Sequence, residues 1–306
     1  MRWLALILLY LPLAATAETV TIPGPIGPLE AETLAPEGAK HSVVIIPGSG
    51  PIDRDGNAPD LGLDSDTYKL LAEALEAEGV ASFRVDKRGF HGSAGAAHDI
   101  TIAGYAEDAR AWVQRAAQEA PCVWIAGHSE GGLVALLAAQ DPPEALCGLI
   151  LLAAAGTPVG PVLVEQIRDN PATTSLAGEA AELVAELEAG RTRDPASLSP
   201  ALRFLFSEGN QRFMTDLFAY DPIPLAKAWA GPTLIVQGNR DLQVRPYHAD
   251  LLAAALPQAG RAPLPGATHM LKRDVPGAPF ATYRDPFLPL HPDLVPAILG
   301  FLARQD

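Results

Sequence analysis

The chain has 306 residues, with 22 Lys and Arg against 36 Asp and Glu, a formal net charge of −14. A surface of that sign repels nucleic-acid phosphates and anionic headgroups, which disfavours nucleic acid and charged membranes as partners. The length fits one large α/β domain with an insertion, and Lys/Arg-rich runs and internal repeats are absent.

Met1-Arg2 is a short basic start, Trp3 to Leu13 is nearly all apolar, and Ala15-Thr16-Ala17 places small residues where a signal peptidase reads. The apolar stretch is short for a membrane span and no stop-transfer sequence follows it. Residues 1–17 are therefore expected to be a secretory leader, with Glu18 opening an exported protein, periplasmic or secreted, that keeps no stable membrane insertion after signal cleavage. An uncleaved anchor is the alternative.

Thr19–Ile22 and Leu29–Leu34 read as an opening antiparallel pair joined through Pro23-Gly24-Pro25. Ser42–Ile46 is a continuous apolar run, as expected of a strand buried on both faces. Asp66–Glu78 has Leu70, Leu71, Ala74 and Leu75 on one side and stops at Gly79; Val80–Val85 is the next strand. Thr101–Ala120 is expected to be helical. The apolar run Cys122–Ala126 precedes a helix from Gly132, and Gly148–Ala153 and Thr233–Val236 are further strands. Arg261–Leu264 is a weaker last strand, and Pro292–Leu302 closes the chain with a helix.

Eight strands alternating with helices predict an α/β fold with a mostly parallel eight-stranded sheet and helices on both faces. Right-handed crossovers place the loops after the strands at one edge, where such sheets bind ligands. Roughly 75 residues separate the strand ending at Ala153 from the one starting at Thr233, far more than one crossover needs. Residues 158–228 are therefore expected to be a helical lid, inserted between a first core part, 18–157, and a second, 229–306. Its phenylalanines fit a lid core better than an acyl pocket.

Cys122 and Cys147 each stand at the entry of a predicted core strand, with no Cys-x-x-Cys to suggest a redox site or zinc knuckle. A disulfide suits an exported protein, and two buried thiols are the other possibility. If the two strands are neighbours, their spacing of about 4.8 Å is compatible with the ~4.4–6.8 Å Cα separation a bridge requires.

Gly127-His128-Ser129-Glu130-Gly131, between a strand and a helix, has the form of a nucleophile elbow. The glycines remove Cβ atoms that would clash when a serine is held on a tight turn. A serine hydroxyl is a poor nucleophile until a base accepts its proton, and the base must itself be oriented. The expected chain order is Ser, then Asp or Glu, then His. Asp241 follows the Thr233–Val236 strand, and His269 follows the last strand, so Ser129, Asp241 and His269 are the candidate catalytic set. No carboxylate follows Ala153-Ala154-Ala155-Gly156 to compete with Asp241. His128 is expected to pack in the turn. His41, His98, His248 and His291 stand before a strand, in a polar loop or near helix starts.

An oxyanion hole needs two preorganised N–H donors near the nucleophile. One is expected from the amide of Glu130, the other from Pro47-Gly48-Ser49-Gly50-Pro51, with Ser49 or Gly50 the donor. Asp53-Arg54-Asp55-Gly56-Asn57 has a superficial calcium-loop look, but Ala58 stands at the sixth position and no glutamate closes the loop. No metal site is expected there; Arg54 or Asp55 is expected to buttress the oxyanion loop.

These residues resemble the α/β-hydrolase superfamily, and more narrowly its bacterial carboxylesterases with a serine-aminopeptidase-like domain. The shared marks are Pro47–Pro51 with Asp53–Asn57, Asp86-Lys87-Arg88-Gly89, the Gly-His-Ser-Glu-Gly-Gly elbow, and the Asp241 and His269 loops. The resemblance runs from Val43 to Phe301 except in the lid. It implies a Ser-His-Asp hydrolase acting on a small-molecule ester with a short or medium acyl chain, through an acyl-enzyme and without cofactor. One departure is His91, which stands at the second glycine of an Arg-Gly-x-Gly-x-Ser segment. A serine aminopeptidase or amidase on the same residues is the alternative, with Glu165, Glu179, Glu182 and Glu208 available to hold a substrate ammonium. A binding protein with a decayed site is a third class, against which the complete Ser, Asp and His set argues.

Overall fold

The computed structural model describes residues 17–98 and 100–305. The expected leader lies outside the described residues except for Ala17. The strands are β1 (Glu18–Pro23), β2 (Pro28–Leu34), β3 (His41–Ile46), β4 (Ala81–Val85), β5 (Cys122–His128), β6 (Leu146–Leu152), β7 (Thr233–Gly238) and β8 (Gly260–Leu264). They form one sheet in the order β1-β2-β4-β3-β5-β6-β7-β8. β2 runs antiparallel to β1 and β4, and every pairing from β4 to β8 is parallel. The eight-stranded, mostly parallel sheet expected from the sequence is therefore present, and β8 closes the far edge despite Pro263.

The continuous apolar runs are explained by burial on both faces. In β3, Val44 and Ile46 join one core with Val123 and Ile125 of β5 and Leu149 and Leu151 of β6. Val43, Ile45, Trp124, Ile150 and Leu152 face the opposite core. Burying each such large side chain is worth ~1.5–3 kcal/mol relative to leaving it in water.

The first core is covered by α2 (Ile102–Ala116) and α3 (Glu130–Ala138), the second by α1 (Thr67–Glu76) and α11 (Leu294–Leu302). Thr101 starts α2 with a side-chain cap, its Oγ1 accepting the Gly104 N–H at 3.0 Å. α9 (Tyr247–Ala255) crosses from β7 to β8, and the short α10 (Ala281–Arg284) lies on the segment after β8.

Between β6 and β7 the chain forms α4 (Val159–Asp169), α5 (Ala177–Glu188), α6 (Pro200–Arg203), α7 (Glu208–Phe218) and α8 (Pro222–Ala228). Leu183, Leu187, Phe206 and Phe218 are buried in the first core, whereas Phe204 is 75% exposed. Phe213 packs its ring 5.9 Å from that of Tyr105 on α2. The Asp216 carboxylate accepts the Ile102 N–H at 2.7 Å, so α7 supplies an acid to the N-terminus of α2 and ties the insertion to the core. Most of the phenylalanine content is structural.

Cys122 and Cys147 form a disulfide with a Cα separation of 5.5 Å, bridging the adjacent strands β5 and β6 across a loop with a sequence separation of 25. The alternative of two free thiols is thereby corrected: neighbouring parallel strands entered from one edge bring the two Cα atoms within bridging range. In the chain-entropy account a loop of this size stabilises by ~3 kcal/mol. The Cys122→Ser, Cys147→Ser double variant is expected to melt roughly 6–12 °C lower by calorimetry. An unchanged Tm would contradict the bridge.

Candidate active site

Ser129 sits between β5 and α3 at φ 55° and ψ −118°, a conformation non-glycine residues rarely hold. What imposes it is close backbone approach. A Cβ on Gly127 would collide with the Gly131 carbonyl, and one on Gly131 would collide with the carbonyl of Ile46 at the end of β3. With both side chains absent, strand, turn and helix interlock, and the Ser129 N–H donates to the Leu152 carbonyl at 2.9 Å. Ser129 is partly exposed, and its hydroxyl makes no hydrogen bond to His269 among the described residues.

Asp241 and His269 lie on the loops after β7 and β8. Those loops touch because residue 238 is glycine: a Cβ there would strike the Ala267 carbonyl, which instead accepts the Arg240 N–H at 2.9 Å. The His269 Nδ1–H donates to Asp241 Oδ2 at 2.8 Å, and both side chains are buried. Asp241 Oδ1 accepts the N–H groups of Gln243 (2.8 Å) and Val244 (2.9 Å), while Gln237 Nε2 donates to Oδ2 at 3.2 Å. Burial alone would raise the Asp241 carboxyl, but the His269 ring and the two backbone donors outweigh it and hold it below the usual carboxylate range. An imidazole held this way carries its proton on Nδ1 and leaves Nε2 free to accept one.

His128 does more than fill the turn. The Gly48 N–H donates to Tyr68 Oη at 3.0 Å, the Tyr68 O–H to His128 Nδ1 at 2.8 Å, and His128 Nε2–H to the His269 carbonyl at 2.9 Å. A carbonyl can only accept, which fixes the His128 tautomer. This buried chain links the loop after β3, the elbow and the His269 loop. Burial, helped by the nearby His269 ring, pushes the His128 imidazole down to about 3.

The loop after β3 passes directly over the elbow, since a Cβ on Gly48 would lie 3.3 Å from Ser129 Cβ. Ser49 and Gly50 follow it, and Glu130 begins α3 with its first-turn N–H unpaired within the helix. Gly48, which precedes the expected donors Ser49 and Gly50, thus lies against Ser129, and Glu130 follows Ser129 in the chain.

The Asp53–Asn57 segment is a tight loop with no metal arrangement. Asp53 Oδ1 accepts the N–H groups of Asp55 (2.9 Å) and Asn57 (2.8 Å). Among the described residues no cluster of three or more His, Cys, Asp or Glu could hold a metal ion. Arg54 donates to Asp86 from its backbone N–H at 2.9 Å and from Nη2 at 2.6 Å, and pairs with Glu30; Asp55 pairs with Arg84. His91 takes up φ 45°, and its Nε2 donates to the Pro51 carbonyl at 3.0 Å. His91, the expected departure from glycine, therefore braces the end of the loop after β3.

Of the carboxylates weighed for an ammonium, Glu165 is engaged by Arg168, Arg245 and the Tyr247 hydroxyl, and Glu179 accepts the Ser199 N–H at 2.8 Å. Glu182 and Glu208 are exposed on their helices.

The sheet order, the antiparallel β2 and the serine turn between β5 and α3 define the α/β-hydrolase fold. Residues 61–204 match the family model described as serine aminopeptidase, S33, a span that includes the elbow and stops before Asp241 and His269. No curated protein matches the chain. Among solved structures, an esterase of Pyrococcus furiosus is 13% identical with a TM-score of 0.64, covering 95% of this chain and 91% of its own. Est1E of Butyrivibrio proteoclasticus, in a structure with ferulic acid bound, is 19% identical with a TM-score of 0.59, covering 93% and 99%. A bromoperoxidase of Bacillus anthracis is 18% identical with a TM-score of 0.56, covering 94% and 100%.

Two outcomes follow from this geometry. In Asp241→Asn, the side-chain oxygen is expected to stay on the Gln243 and Val244 amides, turning the NH₂ toward His269 Nδ1. That would move the imidazole proton to Nε2 and lower kcat by ~10⁴-fold with little change in Tm. A kcat within about tenfold of wild type would mean that Asp241 does not set the tautomer. For His128, unfolded chains bind a proton near pH 6.5 whereas the folded protein holds the ring neutral to about 3. The stability is thus present above pH 6.5 and lost as pH falls toward 3. Urea unfolding should show wild type losing roughly 2 kcal/mol more than His128→Gln between pH 7 and pH 5. Parallel pH profiles would contradict the neutral assignment.

Proposed function

We propose that the protein is a serine hydrolase that cleaves carboxylic esters with short to medium acyl chains through an acyl-enzyme. The observation that carries this reading is the Asp241–His269 pair at 2.8 Å, held on two touching loops at the same sheet edge as the strained Ser129 turn. Ser129 Oγ attacks the ester carbonyl while His269 Nε2 takes its proton, and Asp241 stabilises the imidazolium through Nδ1. The tetrahedral oxyanion is held by the Glu130 N–H and by Ser49 or Gly50 from the loop after β3. His269 then protonates the leaving alkoxide, and a water activated by the same imidazole releases the acid and restores Ser129. The α4–α8 insertion serves as the lid over this edge.

The Pyrococcus furiosus esterase among the similar structures supports the ester reading. The family match, described as serine aminopeptidase, favours a second reading, removal of N-terminal residues on the same machinery. That chemistry needs a carboxylate for the substrate ammonium, and the engagement of Glu165 and Glu179 by other groups weighs against it. No helix among the described residues is long and apolar enough to cross a membrane. Export through the N-terminal leader accords with the Cys122–Cys147 disulfide, which persists in an oxidising compartment.

Steady-state kinetics on p-nitrophenyl esters and on aminoacyl p-nitroanilides separates the two readings. The ester reading expects kcat/KM at least ~10³-fold higher on short or medium acyl esters, and a loss of ~10⁴-fold or more in Ser129→Ala. Preference for the anilides would overturn it.

A further inference from the structure

Lys87 is buried beside the loop after β3. Its Nζ donates to the Gly48 carbonyl at 2.6 Å and lies 3.2 Å from Glu130 Oε1, also buried. The ammonium stands 5.2 Å from the Tyr105 ring centroid and 6.0 Å from that of Phe90, so two aromatic faces flank it. Removing two charges from water is costly, and such a pair is weak grounds for added stability. Here it is also incompletely satisfied: Glu130 Oε2 is buried with no hydrogen-bond partner among the described residues. The arrangement needs another explanation.

The two atoms that Lys87 holds supply one. The Gly48 carbonyl belongs to the same planar trans peptide as the Ser49 N–H, and in such a unit the two point in opposite directions. A donor fixed on Gly48 O therefore fixes the direction of the Ser49 N–H. A charged donor on that oxygen also polarises the amide and strengthens the N–H on the other side. The second atom belongs to Glu130, whose own backbone N–H opens α3 beside Ser129. One ammonium thus holds the peptide unit that carries the Ser49 N–H and the side chain of the residue that carries the Glu130 N–H.

We propose that Lys87 is a positioning residue that sets the Ser49 and Glu130 amides against the tetrahedral oxyanion and selects Ser49, rather than Gly50, as the donor from the loop after β3. This inference rests on the serine-hydrolase reading of the same site. Lys87 touches no reacting atom. Its effect belongs to the transition state, where the oxyanion exists, and leaves ester binding in the ground state nearly unchanged.

The test compares wild type with Lys87→Met, which keeps the stem and removes the ammonium, and with Glu130→Gln, which removes the ion pair and keeps the backbone donor. On a p-nitrophenyl ester, Lys87→Met is expected to lower kcat by about 10–100-fold, less than the ~10²–10³-fold cost of deleting an oxyanion donor outright, with KM changed less than about threefold. Binding of a trifluoromethyl ketone, which forms a hemiketal oxyanion on the serine, should weaken by the same factor. The rate of Ser129 phosphonylation by a fluorophosphonate should fall in parallel. Glu130→Gln should show the same pattern at smaller size, and serves alone if Lys87→Met does not fold. A merely structural Lys87 would lower Tm without this matched loss. Wild-type kcat, or a loss confined to KM, in a folded Lys87→Met or Glu130→Gln would overturn the proposal. The fluorophosphonate rate distinguishes the layers: if wild-type Ser129 reacts with it but hydrolyses no ester, the ester reading fails while the Lys87 comparison still stands or falls on phosphonylation. If Ser129 reacts with neither, both fall.

Discussion

Ser129 holds φ 55° because β5, the turn and α3 are pressed against the end of β3 more tightly than side chains permit. Gly127 and Gly131 make that approach possible, and the burial of β3, β5 and β6 on both faces makes it obligatory. Strain of this kind persists only where the surroundings over-determine the backbone. The same device recurs at Gly238, where the absence of a Cβ lets the Asp241 loop lie against the His269 loop. Rigid strands deliver the residues to one edge; missing side chains let them meet.

Hydrogen bonding then orients what the sheet has gathered. Asp241 is saturated by four N–H donors, one of them the imidazole, so its oxygens cannot rotate between roles. The Gly48–Tyr68–His128–His269 chain couples the loop after β3 to the loop after β8 through neutral groups, with burial holding the Tyr68 phenol protonated and the His128 ring neutral. Buried charge pairs add to this bracing. Arg54 and Asp86 brace the Asp53–Asn57 segment, and Lys87 joins Glu130 to the Gly48 carbonyl in the loop after β3.

What the sequence conveyed was whatever depends on local pattern. Ser42–Ile46 and Cys122–Ala126 announce two-sided strands because burial on both faces demands unbroken apolar runs. The elbow is legible because its glycines are adjacent to the serine they serve. Asp241 and His269 were reachable through their positions after core strands. The less visible features depend on partners far apart in the chain. His128 reads as turn packing until its ring is seen to reach a carbonyl 141 positions away. Lys87, inside a recognisable Asp-Lys-Arg-Gly segment, has no local sign of its contact with Gly48, 39 positions earlier. The disulfide could only be conditional, since neighbourhood in a sheet is decided by topology. Helix limits also moved: the helix expected to reach Ala120 ends at Ala116, and the one expected from Asp66 starts at Thr67, because Asp66 itself lies at φ 50°.

In the proposed reaction Ser129 carries the acyl group between the two halves. The most direct test is peptide mapping by mass spectrometry after a brief reaction with a p-nitrophenyl ester and an acid quench. A single acylated peptide is expected, the one containing Ser129, heavier by the mass of the acyl group, with no such adduct in Ser129→Ala. Hydrolysis that proceeds at the full rate with no acylated peptide, or with the acyl group on another residue, would contradict it.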